Sequence, residues 1–405
     1  MKPIYTVALV ILSILTGSAV IEAAGPAVSV RELPGSNIRL RGRFQNARIR
    51  FARDREGIVA FLGGSITERE GYRPLVMEKL ERHFPETDFE FRNAGISSTC
   101  STTGAFRLAR DVLRDEPPDL LFVEFAVNDD QDAHHSRQEC IRGMEGIIRH
   151  ARVANPAMDI VVLYFVNPDM LETWRSGDIP LTAAAHGEVA RQYRVPSISV
   201  GKELAELIEA EEMTWKEYGG THPAPAGDRL CANIVGRLFQ KAWGNPLDED
   251  DKVVSHEMPE VLDEYSYFRG RLLPPTAARD LRGMEIEIPQ WEEFPGRCRG
   301  RFVKRRLLCA ETPGATANLK FEGRGVGAYV LAGPDAGRIE ATVDGERRTE
   351  VDLYHEFSRN LHYPRTVMFF QELKPGSHSL TIRVLPAHDS RSKGTALRLL
   401  NFTAN

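Results

Sequence analysis

Between residues 56 and 243 short apolar runs alternate with stretches of helical period, and that alternation dictates the architecture. The most constraining run is Leu120-Leu121-Phe122-Val123-Glu124-Phe125-Ala126-Val127, apolar at every position but Glu124. A strand this apolar must be covered on both faces, which an open sheet achieves when helices pack on either side. Residues 58–62, 89–91, 160–166 and 197–200 read as companion strands. Residues 72–82, 104–113, 138–151, 181–193, 202–210 and 227–243 carry apolar side chains at helical spacing. Strands and helices in this order predict a parallel sheet inside a three-layer α/β/α unit.

Beyond about residue 296 the period changes to two, as in 327–331, 339–343 and 378–384. Turns fall between these runs at Gly333-Pro334-Asp335, Asp344-Gly345 and Lys374-Pro375-Gly376, where glycine and proline supply the backbone angles. Short alternating strands predict a smaller all-β sandwich over 296–405. Its aromatics Tyr329, Tyr354, Phe357, Tyr363, Phe369 and Phe370 are expected mostly in its core. Residues 246–295 are rich in Pro, Asp, Glu and Arg without periodicity and read as a linker. The first 24 residues have a basic start, an apolar run over 4–15 and small residues up to Ala23-Ala24-Gly25. That is the pattern of a secretory signal peptide, so the chain is expected to be secreted or periplasmic, with no stable membrane span after cleavage.

Five cysteines at 100, 140, 231, 298 and 309 match no zinc spacing. Cys298 and Cys309 are the close pair, either a bridge or two thiols. Charge is divided: 296–405 carries a net +7 and 1–295 a net −12. A basic C-terminal part suits an anionic surface or glycan; nucleic acid is excluded by the acidic balance of the whole.

Chemistry concentrates in four segments. The strand at 58–62 ends in Gly63-Gly64-Ser65, where glycines permit a sharp turn and close approach. Asn93-Ala94-Gly95-Ile96-Ser97-Ser98, then Asn128-Asp129, then Gly219-Gly220-Thr221-His222-Pro223 follow. In that order they offer a nucleophile, two hydrogen-bond donors and a base. The set, spread over about residues 50–245, resembles the SGNH/GDSL hydrolase superfamily. The resemblance implies a flavodoxin-like domain over 25–245 and a serine esterase needing no cofactor or metal. In it Ser65 is the nucleophile and His222 the base. The oxyanion hole comprises the backbone N–H groups of Ser65 and Gly95 and the Asn128 amide.

One position departs from the family pattern. Three residues before His222, where the family places an acid, stands Gly219. Glu217, or an acid from the Asn128–Asp132 loop such as Asp129 or Asp130, would then be the acid partner, or a main-chain carbonyl from 215–220 orients the imidazole. The Asn128–Asp132 stretch with His134 and His135 fits no known metal loop and reads as a solvated rim. Neither a Gly-Lys-Ser/Thr phosphate loop nor a Gly-x-Ser-x-Gly elbow surrounds Ser65. The C-terminal strands look like the jelly-roll modules that accompany SGNH esterases acting on polysaccharides. The expected substrate is therefore an O-acetylated carbohydrate or polysaccharide, with the sandwich aiding polymer engagement rather than chemistry. The alternatives are a lipolytic or aryl esterase, and a glycan-binding protein with an inactive esterase domain.

Overall fold

Six strands form the sheet that the apolar runs demand: β1 (Ile38–Arg39), β2 (Glu56–Gly63), β3 (Asp88–Gly95), β4 (Leu120–Glu124), β5 (Asp159–Tyr164) and β6 (Ser197–Ser199). Their order is β1-β6-β5-β4-β2-β3, parallel throughout except where β1 meets β6. The computed structural model describes residues 37–405; the expected signal segment, 1–24, lies outside the described residues. Helices Ser101–Leu108, Arg137–Ala154 and Leu181–Gln192 pack as one group. Tyr72–His83, Pro225–Trp243, Val200–Glu209 and Pro168–Arg175 form another. The chain leaves β2 for β3 on one side and crosses to β4 on the other, so the crevice beyond the carboxyl ends of β2 and β4 is the topological switch point.

β4 stops at Glu124, three residues short of the apolar run. Phe125 already accepts a helical bond from the Asp129 N–H at 2.8 Å, and the wide π-helical turn Asn128–Asp132 follows. The last apolar residues of the run therefore carry Asn128 into the crevice instead of extending the strand.

The C-terminal strands form two antiparallel sheets. One runs Tyr363–Phe370, Val326–Ala332, Leu397–Ala404, Leu307–Ala310 and Glu285–Glu287; the other Arg347–Asp352, Arg338–Val343, Gly376–Val384, Thr316–Gly323 and Arg279–Arg282. Residues read as linker thus supply strands, and Arg271–Leu273 adds a further pairing with Leu397–Ala404. Of the six aromatics, only Phe357 is exposed. Cys298 and Cys309 are free thiols.

Residues 37–405 lie in one compact unit. Tyr267, from the segment between the two sheets' domains, is buried in the α/β core against Phe106, ring centroids 5.0 Å apart. A small apolar cluster joins Ile96 of the α/β unit to Phe302, Tyr329 and Leu400 of the sandwich. Among the described residues no helix is long and apolar enough to cross a membrane.

Candidate active site

β2 ends against Glu124, the lone charge of the apolar run. Its buried carboxylate accepts the Gly64 N–H at 2.9 Å and the Thr67 hydroxyl at 2.7 Å. Burial pushes Glu124 up to about 7, although both donors oppose the rise. Tied down at Gly64, the chain turns into the short helix Ser65–Glu68, with Ser65 as its first residue. Asn128 lies so close to this turn that a side chain begun at Gly64 would meet its Oδ1 at 1.9 Å.

His222 reaches the same point from the other direction. The helix Trp215–Tyr218 is closed by Gly219 at φ 107°, and the Ala224 N–H folds back onto the Tyr218 carbonyl at 2.7 Å. The turn sets the exposed His222 with its Nε2 2.7 Å from the Ser65 Oγ. With the hydroxyl donating, Nε2 is the acceptor and the ring proton resides on Nδ1. Gly219 also explains its own departure from the family pattern. A Cβ there would lie 2.0 Å from the Ala224 nitrogen, and the left-handed angle is one that L side chains rarely adopt.

The expected partners of His222 are engaged elsewhere. Glu217 caps its own helix, accepting from the Thr214 N–H and hydroxyl at 2.8 and 2.7 Å. Asp130 accepts the Asn167 amide at 2.7 Å. Asp129 points inward, accepting the Ser101 N–H at 2.7 Å, the Ser101 hydroxyl at 2.6 Å and His186 at 2.9 Å. The Trp215 and Tyr218 carbonyls accept from the turn's own N–H groups, and among the described residues no carbonyl of 215–220 is hydrogen-bonded to the imidazole. Among the described residues no carboxylate hydrogen-bonds His222, and Asp132 acts on it only through its charge. Partial desolvation and the Arg69 cation lower the imidazole below its ordinary value, while Asp132 pulls it upward. Asp132 is buried, which raises its own value. It accepts the Asn128 amide at 2.6 Å and the Tyr363 hydroxyl at 3.0 Å. Tyr363 belongs to the sandwich, as does His355, which donates to the Asp132 carbonyl at 2.7 Å.

Gly95 serves differently from expectation. Its N–H donates to Asn93 Oδ1 at 2.9 Å, so that donor is occupied. What requires glycine is space: a Cβ would lie 2.3 Å from the Glu68 nitrogen. In the same loop Ser98 sits at φ 69°, its N–H unpaired among the described residues. Arg299 of the sandwich braces this loop, donating to the Ser97 carbonyl at 2.9 Å and the Ser98 hydroxyl at 2.8 Å. Arg301 donates to the Gly95 carbonyl at 3.0 Å and pairs with Glu68 at 3.1 Å. A Ser-His pair at a strand-to-helix turn, with an amide beside it, is the equipment for nucleophilic attack on a carbonyl.

Residues 61–230 match the sequence model of the GDSL-like lipase/acylhydrolase family. This segment belongs to that family. The GDSL-like domain and the sandwich together resemble the crystal structure of a two-domain esterase, CEX, active on acetylated mannans and co-crystallised with mannopentaose. The identity is 20% over 91% of this chain and 96% of that one, with a TM-score of 0.73. A second crystal structure of CEX matches at 21% identity over 86% and 91%, with a TM-score of 0.70. Comparison with curated proteins finds no match.

Behind the GDSL-like site lie two groups whose side chains are suited to hold a metal ion, Cys100-Asp129-His135 and Asp129-Cys140-His186. Asp129 and His135, expected on a solvated rim, are buried or nearly so. Against the cost of burial, the His135 imidazole 3.5 Å away and the hydrogen-bonded His186 hold Asp129 well below the carboxylate range. The protein alone therefore satisfies that carboxylate.

Proposed function

We propose that this chain is a serine esterase that removes O-acetyl groups from a carbohydrate. The observation that carries the reading is the 2.7 Å contact between the Ser65 Oγ and the His222 Nε2. A serine hydroxyl is a poor nucleophile until a base takes its proton, and an imidazole lowered in this way is neutral, and so a base, at pH 7. Ser65 attacks the ester carbonyl as His222 takes the proton. The oxyanion is held by the Ser65 N–H and by the Asn128 amide proton not given to Asp132, with the unpaired Ser98 N–H a better candidate than Gly95 for the third donor. One such donor contributes about 3–4 kcal/mol to barrier lowering. His222 then protonates the leaving sugar oxygen, and water activated by His222 releases acetate from Ser65.

The substrate class rests on analogy. The two-part architecture is shared with CEX over most of both chains, and the basic bias of 296–405 suits a glycan. Export by residues 1–24, and division into an esterase domain ending near 245 and a sandwich reached through 246–295, belong to the same proposal. Ser65→Ala should abolish acetate release from acetylated polysaccharide while leaving Tm nearly unchanged. Wild-type turnover in that variant removes the nucleophile assignment. Faster cleavage of long-chain than of acetyl aryl esters by the wild type points to a lipolytic enzyme instead.

A further inference from the structure

The loop that follows β3 has a second side, facing a cleft of about 610 Å³, within the roughly 300–1,000 Å³ typical of small-molecule sites. The cleft lies between the α/β unit and the sandwich. Five arginines line it, Arg110, Arg114, Arg301, Arg305 and Arg306, against a single carboxylate, Asp111. Arg110 is neutralised by Asp111 at 2.6 Å, and Arg301 by Glu68 at 3.1 Å. Arg114, Arg305 and Arg306 are exposed and form no ion pair among the described residues; Arg306 donates to the Ile286 carbonyl at 3.2 Å. Guanidinium groups left without carboxylates around one cavity are a standing invitation to an anion, and their planar forks match carboxylate and sulfate oxygens.

A second observation comes from the cleft wall. Tyr329 is 1% exposed, lines the cleft, and its hydroxyl has no hydrogen-bond partner. Burial pushes that phenol up to about 12, although Arg107 and Arg110 oppose the rise. It is therefore an uncharged donor, and a buried donor without an acceptor costs about 1–3 kcal/mol until one arrives. Ile96 and Leu400, both buried, also line the cleft. The location ties the cleft to the proposed chemistry: Arg301 grips Glu68, three residues beyond Ser65 in the same helical turn.

We infer that this cleft binds an acidic sugar, through its carboxylate or sulfate ester, and so selects an anionic acetylated polysaccharide. The selectivity for an acetylated chain rests on the esterase reading; the anion site does not. The test uses the full chain and polymers without acetyl groups, so that binding is read apart from hydrolysis. Polygalacturonate and dextran sulfate are compared with neutral dextran by calorimetry, for the wild type and for Arg114→Gln/Arg305→Gln/Arg306→Gln. The wild type should bind at least one acidic polymer and not dextran, with affinity falling as salt screens exposed charge. The triple variant should lose at least about tenfold in affinity and keep the wild-type Tm and aryl acetate turnover. Binding of polygalacturonate alone identifies a carboxylate ligand, and of dextran sulfate alone a sulfate ester. Tyr329→Phe should weaken the same polymer several-fold. Equal affinity in wild type and triple variant overturns the proposal, as does equally tight binding of duplex DNA, which would mark an unselective basic surface. Acidic-polymer binding without hydrolysis of any acetyl ester sinks the esterase reading and leaves the anion site standing.

Discussion

His222 works between two charges of opposite sign, Arg69 lowering its imidazole and Asp132 raising it. The acid limb of kcat/KM reports the pKa of the free enzyme's base, so it should lie below the ordinary histidine value. Asp132→Asn should move that limb to lower pH and Arg69→Gln to higher pH; shifts in the same direction in both variants contradict the assignment. Glu124 makes a different prediction. Its folded value, about 7, lies above its ordinary 4.5, so the unfolded chain ionises first as pH rises. Its contribution to stability is intact below 4.5, is lost through 4.5–7 and stays lost above. Glu124→Gln should therefore gain stability relative to wild type between pH 4.5 and 8, by about 3 kcal/mol. Denaturant titrations at the two pH values check this, and an unchanged difference refutes it. Ser65 and His222 were legible in the sequence because residue type and turn chemistry carry their chemistry. Asp132 was legible only as one acid of the Asn128–Asp132 loop, since what sets it apart from its neighbours depends on a π-helical turn and on Tyr363, 231 residues away.

At the level of elements the strand-to-helix turn and the loop after β3 are packed to backbone contact. Gly95→Ala places a methyl group 2.3 Å from the Glu68 nitrogen, and main chain cannot swing aside as a side chain does. The helix Ser65–Glu68 must shift, so turnover should fall at least about 100-fold, the loss expected when catalytic geometry slips by an ångström. A Gly95→Ala enzyme of normal rate shows that the helix yields without moving Ser65. Element types were readable over most of the α/β unit, where apolar runs are long and their periods unambiguous. The ends were less so: nothing in Phe125-Ala126-Val127 separates a strand from the start of a turn. The strands at 271–273, 279–282 and 285–287 span three or four residues each, too few for a period of two to show. Glycine at 95 was visible, but whether it gives a donor or room is decided by Asn93 and Glu68 in three dimensions.

Across the whole molecule the two parts are less separable than the sequence suggested. An accessory module that only engages polymer would leave the chemistry intact when removed. Here Tyr363, His355, Arg299 and Arg301 all grip the walls of the proposed site, and Tyr267 fills the α/β core. A chain ending at residue 245 should therefore be insoluble, or soluble and at least about 100-fold slower on a small aryl acetate. Full turnover from a folded truncation returns the sandwich to an accessory role. Period and charge revealed the sandwich but not this dependence, because the contacts join arginines and aromatics that look like ordinary surface and core. The Tyr363–Asp132–Asn128 connection also sets an order in time. A growing polypeptide displays Ser65, Asn128 and His222 well over a hundred residues before Tyr363 is made. Arg299, Arg301 and His355 emerge earlier, but until then the Asp132 side chain lacks its bond from the sandwich. On the proposed reading, the nascent chain should hold Ser65, Asn128 and His222 unassembled and gain hydrolytic activity only after the strand Tyr363–Phe370 has docked.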